Sequence, residues 1–537
     1  MDTAQPDSKR NSFVKQASIL AMAGLLVRLI GFFYRVPLLN ILGDRGIAAY
    51  GAGYGIYNFL LILSSAGLPV AISKMIAERQ AVGQHAGAYK VFKVSLLVST
   101  ALGLVAALLL WFGAEWFAAF TNVPESHYAI LTLAPTVFMV AIMAVFRGYF
   151  QGQNNTLPTG ISQIIEQIFN AVFSVWLAYV FISQSLMAGA AGGTSGTGIG
   201  AFAGLVLLVF MFFISRRKTR KKVKADANKS RESSLSIAKI LLKTAFPIII
   251  GTAIYSFTNI IDTAMVRGGL EPIKGTDESL RLFGLLNGKF VLLTTMPMSI
   301  ATAFSTAVVP NIAASWKLKE YDAVRAKTGT ALKITMLISM PAAFGMGLLA
   351  DPIVRMLFPQ HPDGGYLITV GFMAIVFFAV SQICTGILQG IGKLYVPVIG
   401  AVAGCAVKIA LNYVLIPIPA INVVGAVIST IVCYAVAGGV NLYFVRKITR
   451  IKIDIGGTFV KPLVAAIIMG GVCWLLHFTF EGIIGNILAV LFTIAVGVVV
   501  YLASLVLLKG LTRADLSVMP FGGKILKVLG CFIREEA

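Results

Sequence analysis

The sequence predicts an all-α polytopic membrane protein of about 14 transmembrane helices, built as two parallel six-helix lobes followed by two additional helices. Three observations predict it. Of 537 residues, 58% are hydrophobic and only 12% charged, and the mean hydropathy is +0.86, far from the balance of a soluble domain. Apolar runs such as "VSLLVSTALGLVAALLLWF" reach the roughly 20 residues a helix needs to cross a bilayer. The basic residues, which give a net charge of +22, collect in alternate loops, as topology determinants do. That placement argues against nucleic acid as a partner and for the lipid bilayer. Segments of about ten residues alternating apolar with polar, the mark of an outer-membrane barrel, do not occur.

The polar start "MDTAQPDSKRNS" runs straight into the first span, 13–39, without a small-residue cleavage site, so the span is expected to act as its own insertion signal. The next five spans are 48–72, 90–118, 127–150, 157–183 and 197–215. A basic stretch, "RRKTRKKVKADANKSR" at 216–231, follows as the best linker in the chain. Beyond it come 237–266, 281–309, 329–350, 365–389, 394–417 and 423–445, and then a final pair at 459–480 and 484–508. Lys74, Arg79, Lys90 and Lys93, the linker, Lys317, Lys319, Arg325 and Lys327, and Arg446, Lys447, Arg450 and Lys452 fall in loops of one side. The opposite segments 112–130, 183–200, 413–440 and 474–508 hold no Lys or Arg. The basic side should be cytoplasmic, with both termini. The connection 267–281 mixes signs and reads as a polar outer loop or short outer helix.

An internal repeat relates the two halves. "GYFQGQNNTLPTGI" at 148–161 resembles "GILQGIGKLYVPVIG" at 386–400, with Gln151 and Gln389 separated by 238 positions and Pro158 and Pro397 by 239. "VAISKMIA" at 70–77 echoes "TAVVPNIA" at 306–313, and "SRRKTR" at 215–220 echoes "VRKITR" at 445–450. The expected domains are therefore an N-terminal lobe 1–215, a basic linker 216–236, a C-terminal lobe 237–452, two additional helices 453–509 and a tail 510–537. Parallel repeats of this kind suit alternating access to a site between the lobes.

Ionisable groups within spans are costly and mark candidate function. Arg28 and Arg35 lie seven residues apart in "LLVRLIGFFYRVPLL", on one helical face and about 10 Å apart along the axis. Arg28 is mid-span, whereas Arg35 could also snorkel outward past Pro37. Lys289 and Lys408 lie in the eighth and eleventh spans, Asn259 and Asp262 in the seventh, and Glu166 in the fifth. Asp262 and Glu166 are either balancing partners for these cations or a coupling-ion or proton site. Because the cations outnumber the acids, an anionic guest is expected, and guanidinium forks suit phosphate or pyrophosphate. Neither a metal site nor covalent catalysis is expected. The four histidines and five cysteines show no ligand spacing, and a phosphate-binding Gly-rich loop ending in Lys-Ser/Thr does not occur.

"VRLIGFFYRV", "GLPVAISKMIAE", "RGYFQGQNNTLPTGISQIIEQ" and "ILQGIGKLYVPVIGAVAGCAVKIALN" resemble the MviN/MurJ and stage V sporulation protein B branch of the multidrug/oligosaccharidyl-lipid/polysaccharide (MOP) exporter superfamily. The resemblance covers essentially the whole chain. It implies two lobes in a V around a central cavity, and a hydrophobic groove for a lipid tail on the last two helices. It also implies flipping of an undecaprenyl-pyrophosphate-linked glycan, above all lipid II for peptidoglycan, across the bacterial plasma membrane. Arg28 matches a cavity arginine of that family, Arg35 a second with one residue of slippage, and Lys289 a basic residue of the eighth span. The arginine that MurJ-type flippases carry in the second span has no counterpart in "LILSSAGLPVAIS", a departure closer to the sporulation-protein-B-like subgroup.

The expected function is thus a non-enzymatic flippase in which Arg28, Arg35, Lys289 and Lys408 hold the pyrophosphate. No cofactor is expected, and coupling would be to membrane potential or to a monovalent cation or proton. Cell-wall synthesis enzymes are expected partners. The competing expectations are a flippase for another lipid-linked polysaccharide unit, a cation-coupled multidrug antiporter, and a non-transporting scaffold.

Overall fold

The computed structural model of the protein describes residues 5–224, 226 and 232–511. Part of the linker expected at 216–236, nearly all of the tail expected at 510–537, and Cys531 lie outside the described residues. Secondary structure among the described residues is helical, without strands. A chain spanning hydrocarbon must satisfy its backbone groups in this way.

Packing divides the chain into a unit ending at Gly284 and a unit beginning at Leu285. The first holds α1 (Gln5–Ser65), α2 (Leu68–Ala81), α3 (His85–Phe120), α4 (His127–Gly152), α5 (Leu157–Ile182), α6 (Leu186–Lys224) and α7 (Ser234–Gly284). Two expected spans share α1, which Gly43 breaks at φ 66°, ψ 178°. Only glycine reaches that backbone region without strain. Gly275 in α7 has the same conformation. The break at Gly43 brings the halves of α1 together, so that the hydroxyls of Tyr34 and Tyr50 lie 3.2 Å apart. The second span ends earlier than the expected 72, because Gly67 and Pro69 start the separate helix α2. Gly67 is needed there: a Cβ would meet the Ala245 carbonyl oxygen at 2.6 Å.

An aromatic cluster forms one core of this unit, with Phe92 4.7 Å from Tyr149 and 4.9 Å from Phe212, centroid to centroid. It joins α3, α4 and α6. The linker also docks locally. Arg79 pairs with Glu232, and the Asp226 carboxylate accepts from the Ala86 backbone N–H at 2.7 Å. The seventh span falls with the first six because α7 packs along α1. Asn58 donates to Ser256 at 3.3 Å, and Arg45 pairs with Asp277 at 3.1 Å. The packing boundary therefore comes one span later than the basic linker.

The second unit opens on a π-helical turn, Leu285–Val291, and continues through α8 (Leu292–Lys317), α9 (Tyr321–Leu348), the short α10 (Ala350–Leu357) and α11 (Gly365–Gly371), α12 (Met373–Gly390), α13 (Tyr395–Leu415), α14 (Val424–Thr449) and α15 (Lys461–Leu507). The span expected at 365–389 is two helices, α11 and α12, which meet at Phe372. α12 packs against α8, α9 and α14. α15 holds both additional helices, broken at Gly485, and docks on α9, where Tyr501 donates to the Leu337 carbonyl at 2.9 Å. Its outward residues are apolar, with Phe478 73% and Leu507 82% exposed, as contact with lipid requires.

Eleven helical segments among the described residues are long and apolar enough to cross a membrane. Three of them contain the breaks at Gly43, Gly275 and Gly485. Counting each broken segment as a pair restores the fourteen expected crossings. The protein is a multi-pass membrane protein.

Candidate functional site

Within the first unit the polar groups gather where α1 meets α4 and α5. Arg28 is exposed, and Arg35, seven positions on, is half-buried. The Arg35 guanidinium lies 5.8 Å from the centre of the Tyr54 ring, a cation–π distance. Tyr54 itself stacks on Tyr50, centroids 5.7 Å apart, and packs 5.3 Å from Tyr57. Tyr50, Tyr54 and Tyr57 share one face because their spacing of four and three follows the helical period. A wall of rings therefore stands beside Arg35, in a helix whose other residues are mostly small or apolar.

α5 approaches α1 one turn before Arg35. A Cβ on Gly31 would meet Gln167 Nε2 at 3.3 Å, which places the residue after Glu166 against the arginine-bearing helix. Glu166 accepts from Arg147 at 2.6 Å, and Arg147 also donates to Ser162 Oγ at 3.2 Å. The side chains are 24% and 14% exposed. Glu166 thus pairs with Arg147 of α4, a cation outside the four singled out from sequence. Its place as the lone deep acid of the fifth span was legible. Arg147, four positions from the conspicuous Gln151-Gly152, was missed.

On α7, Asp262 is half-buried and Asn259 is exposed; the Asn259 carbonyl accepts from Thr263 at 2.9 Å. Beyond them sits a cation of the segment that the sequence reads as a polar outer loop or short outer helix. Arg267 is fully buried, because α7 continues through that segment to Gly284. Its guanidinium donates to the carbonyls of Asn122 at 2.9 Å and Thr276 at 3.1 Å, and to the Ser279 hydroxyl. Asn122 Nδ2 returns a bond to the Ala264 carbonyl at 3.2 Å.

The other two expected cavity cations belong to the second unit. Lys289 is enclosed rather than open. It is fully buried in the π-helical turn, and its ammonium donates to the His361 and Asp363 carbonyls, both at 2.8 Å. The Phe358 ring lies 5.9 Å from the nitrogen. Depth within an apolar run gave no hint of these acceptors, which lie some seventy residues away in the chain. Lys408 is 7% exposed on α13, one turn before Asn412, whose side chain accepts from Ser429 of α14. The sequence-selected groups that gather in the first unit are thus Arg28, Arg35 and Glu166. Among the described residues, no cluster of His, Cys, Asp or Glu is placed to hold a metal ion.

Chemically, the face of α1 offers two guanidinium groups to an anionic ligand and an aromatic wall to a ring or sugar face. Known proteins carry the same framework. The family described as "Polysaccharide biosynthesis protein" matches residues 13–316, more than half of the chain, and the MatE family matches residues 247–414. The chain is 27% identical over 532 residues to the uncharacterized membrane protein YabM of Bacillus subtilis (strain 168), with 97% of each chain covered. It is 24% identical to stage V sporulation protein B of that organism, covering 83% of this chain and 86% of that one. Identity to the lipid II flippase MurJ, also of that organism, is 26%, over 78% of this chain and 79% of the relative.

Solved structures share the fold. An inward-facing multidrug resistance MATE family transporter superposes with a TM-score of 0.68 at 17% identity, over 82% of this chain and 98% of that one. A lipid II flippase MurJ in an inward closed conformation does so with a TM-score of 0.65 at 16% identity, over 90% of this chain and 97% of that one. The chain belongs to the polysaccharide biosynthesis protein family, within the multidrug/oligosaccharidyl-lipid/polysaccharide exporter superfamily.

Proposed function

We propose that the protein flips an undecaprenyl-pyrophosphate-linked glycan, lipid II, from the inner to the outer leaflet of the plasma membrane by alternating access. The observation that carries this reading is the pair Arg28 and Arg35, exposed and half-buried on one face of a membrane helix. A charged residue within a span is costly and marks a substrate pathway, and a guanidinium fork matches a pyrophosphate oxygen pair. The resemblance in sequence to a lipid II flippase over most of both chains supports the same guest. Lys408 would be the candidate binding cation of the second unit. Lys289 is left out of the binding set, since two carbonyls already hold its ammonium. Arg147 would pair with Glu166 as a fixed counter-charge, and Asp262 and Asn259 would supply the remaining polar lining or the coupling site.

Both termini would be cytoplasmic, by the distribution of basic loops. Membrane potential would bias reorientation, because a charge crossing the field gains about 2.3 kcal/mol per 100 mV. The polyprenyl tail would rest on the apolar face of α15. The test is to deplete the protein in cells without a redundant flippase and to label lipid II from the outer face. Labelling should fall as the protein disappears. Unchanged labelling would transfer the reading to another lipid-linked polysaccharide unit, the substrate class suggested by the family's description.

A further inference from the structure

A groove of about 520 Å³ runs along the last turns of α14 in the second unit, lined among others by Gly439, Tyr443, Arg446, Lys447, Arg450 and Ile451. We infer that it binds the phosphate headgroup of an anionic phospholipid from the leaflet into which the basic end of α14 opens. The positions 439, 443, 446 and 450 form one stripe on the helix. The stripe changes character along its length: open at Gly439, where a Cβ would meet nothing within 4 Å, aromatic at Tyr443, and cationic over the last turn and a half. That is the order in which a lipid presents acyl chain, interface and phosphate. Tyr443 is 59% exposed, and Lys447 lies 5.8 Å from its ring centre, the pairing expected where an aromatic belt meets headgroups.

Two further observations separate these cations from ordinary loop charge. Arg325 of the neighbouring α9 is occupied, donating to Asp322 at 2.7 Å and to the Thr449 carbonyl at 3.2 Å. Arg446, Lys447 and Arg450 have no carboxylate at ion-pair distance among the described residues. Arg450 moreover adopts φ 56°, ψ 29° as it ends the helix, the left-handed cap position that favours glycine. An arginine there trades backbone ease for a charge at the mouth of the groove. The sixth span closes in a similar manner, with Arg216 lying 5.7 Å from the Phe213 ring centre. The helix dipole explains cations in a last turn, but not a groove or a tyrosine beneath them. Basic pockets at the cytoplasmic ends of membrane helices recognise anionic headgroups.

The test is native mass spectrometry of the full-length protein, delipidated in a neutral detergent and titrated with phosphatidylglycerol or phosphatidylcholine. Phosphatidylglycerol should bind preferentially. Combining Arg446→Gln, Lys447→Gln and Arg450→Gln should weaken that binding about tenfold or more, the scale on which three basic groups act at an anionic surface. Neutralising Lys74, Lys317 and Lys319 together should leave it unchanged. Arg450→Gly keeps the helix cap and should still weaken binding, which removes misfolding as an explanation. Equal affinity for the two lipids, or equal losses in both triple variants, would overturn the assignment. So would displacement by millimolar inorganic phosphate, which would make the groove a site for free anions. Undiminished lipid binding by the Arg446/Lys447/Arg450 variant would leave the stripe to an acidic protein partner and would equally end the lipid assignment.

Discussion

Arg267 and Lys289 on one side, and Arg28 and Arg35 on the other, are four basic residues in or beside apolar sequence with opposite surroundings. Arg267 and Lys289 are fully buried; carbonyls and a hydroxyl hold the Arg267 Nε and Nη1 and the Lys289 ammonium, and the Arg267 Nη2 is buried without a hydrogen bond among the described residues. Arg28 is exposed and Arg35 half-buried, the latter against a tyrosine ring. The first pair fastens chain segments to each other. The second pair presents charge to whatever enters. What separates the two pairs is enclosure: protein surrounds Arg267 and Lys289 on all sides, whereas Arg28 and Arg35 keep accessible surface within a membrane-spanning helix.

The largest effect on stability should come from Arg267→Ala. It takes the charged donor from the Asn122 carbonyl and strips a second bond from Thr276 and Ser279, which stay bonded to each other at 2.9 Å. It also empties the space of a fully buried side chain; with truncation of a large buried side chain included, the loss should reach about 4 kcal/mol. Thermal unfolding in detergent, or the folded yield by size exclusion, would register it. Lys289→Ala should cost about 3 kcal/mol, since two carbonyls lose a charged donor. If this variant keeps wild-type stability but loses transport, Lys289 moves to the binding group and the contrast breaks.

Arg147→Ala should cost about 2 kcal/mol by leaving Glu166 partly buried without its partner. Adding Glu166→Gln should restore most of that stability, because the uncompensated charge goes with it. The double variant also sharpens the transport reading. If it still transports, Glu166 is counter-charge only; if it folds but is inactive, the pair takes part in coupling. Arg28→Ala should change stability least, within about 0.5 kcal/mol as for other exposed positions.

Much of this contrast could not be read from the sequence, for identifiable reasons. The crossings were legible because hydropathy and loop charge report on the solvent, which acts on each segment separately. The shared face of Arg28 and Arg35 was legible because both lie on one helix. The surroundings of Lys289 were not legible because its acceptors belong to a loop around His361 and Asp363, distant in sequence. The segment 267–281 read as a polar outer loop or short outer helix, and it is helical up to a break at Gly275; that Arg267 is buried was not legible, because mixed charges look solvated. Glu166 stood out, but its partner lies across the turn between α4 and α5, in a stretch where glutamine and glycine drew attention. The ladder Tyr50, Tyr54 and Tyr57 was present as a spacing of four and three, and a search for aromatic periodicity would have found it.

The central claim, that the open arginine face of α1 holds the transported anion, is tested most directly by outward labelling of lipid II in depleted cells carrying Arg28→Ala, normalised to folded protein in the membrane. The account predicts wild-type amounts of folded protein with outward labelling reduced to the level of the depleted strain. Wild-type labelling per folded molecule would contradict it.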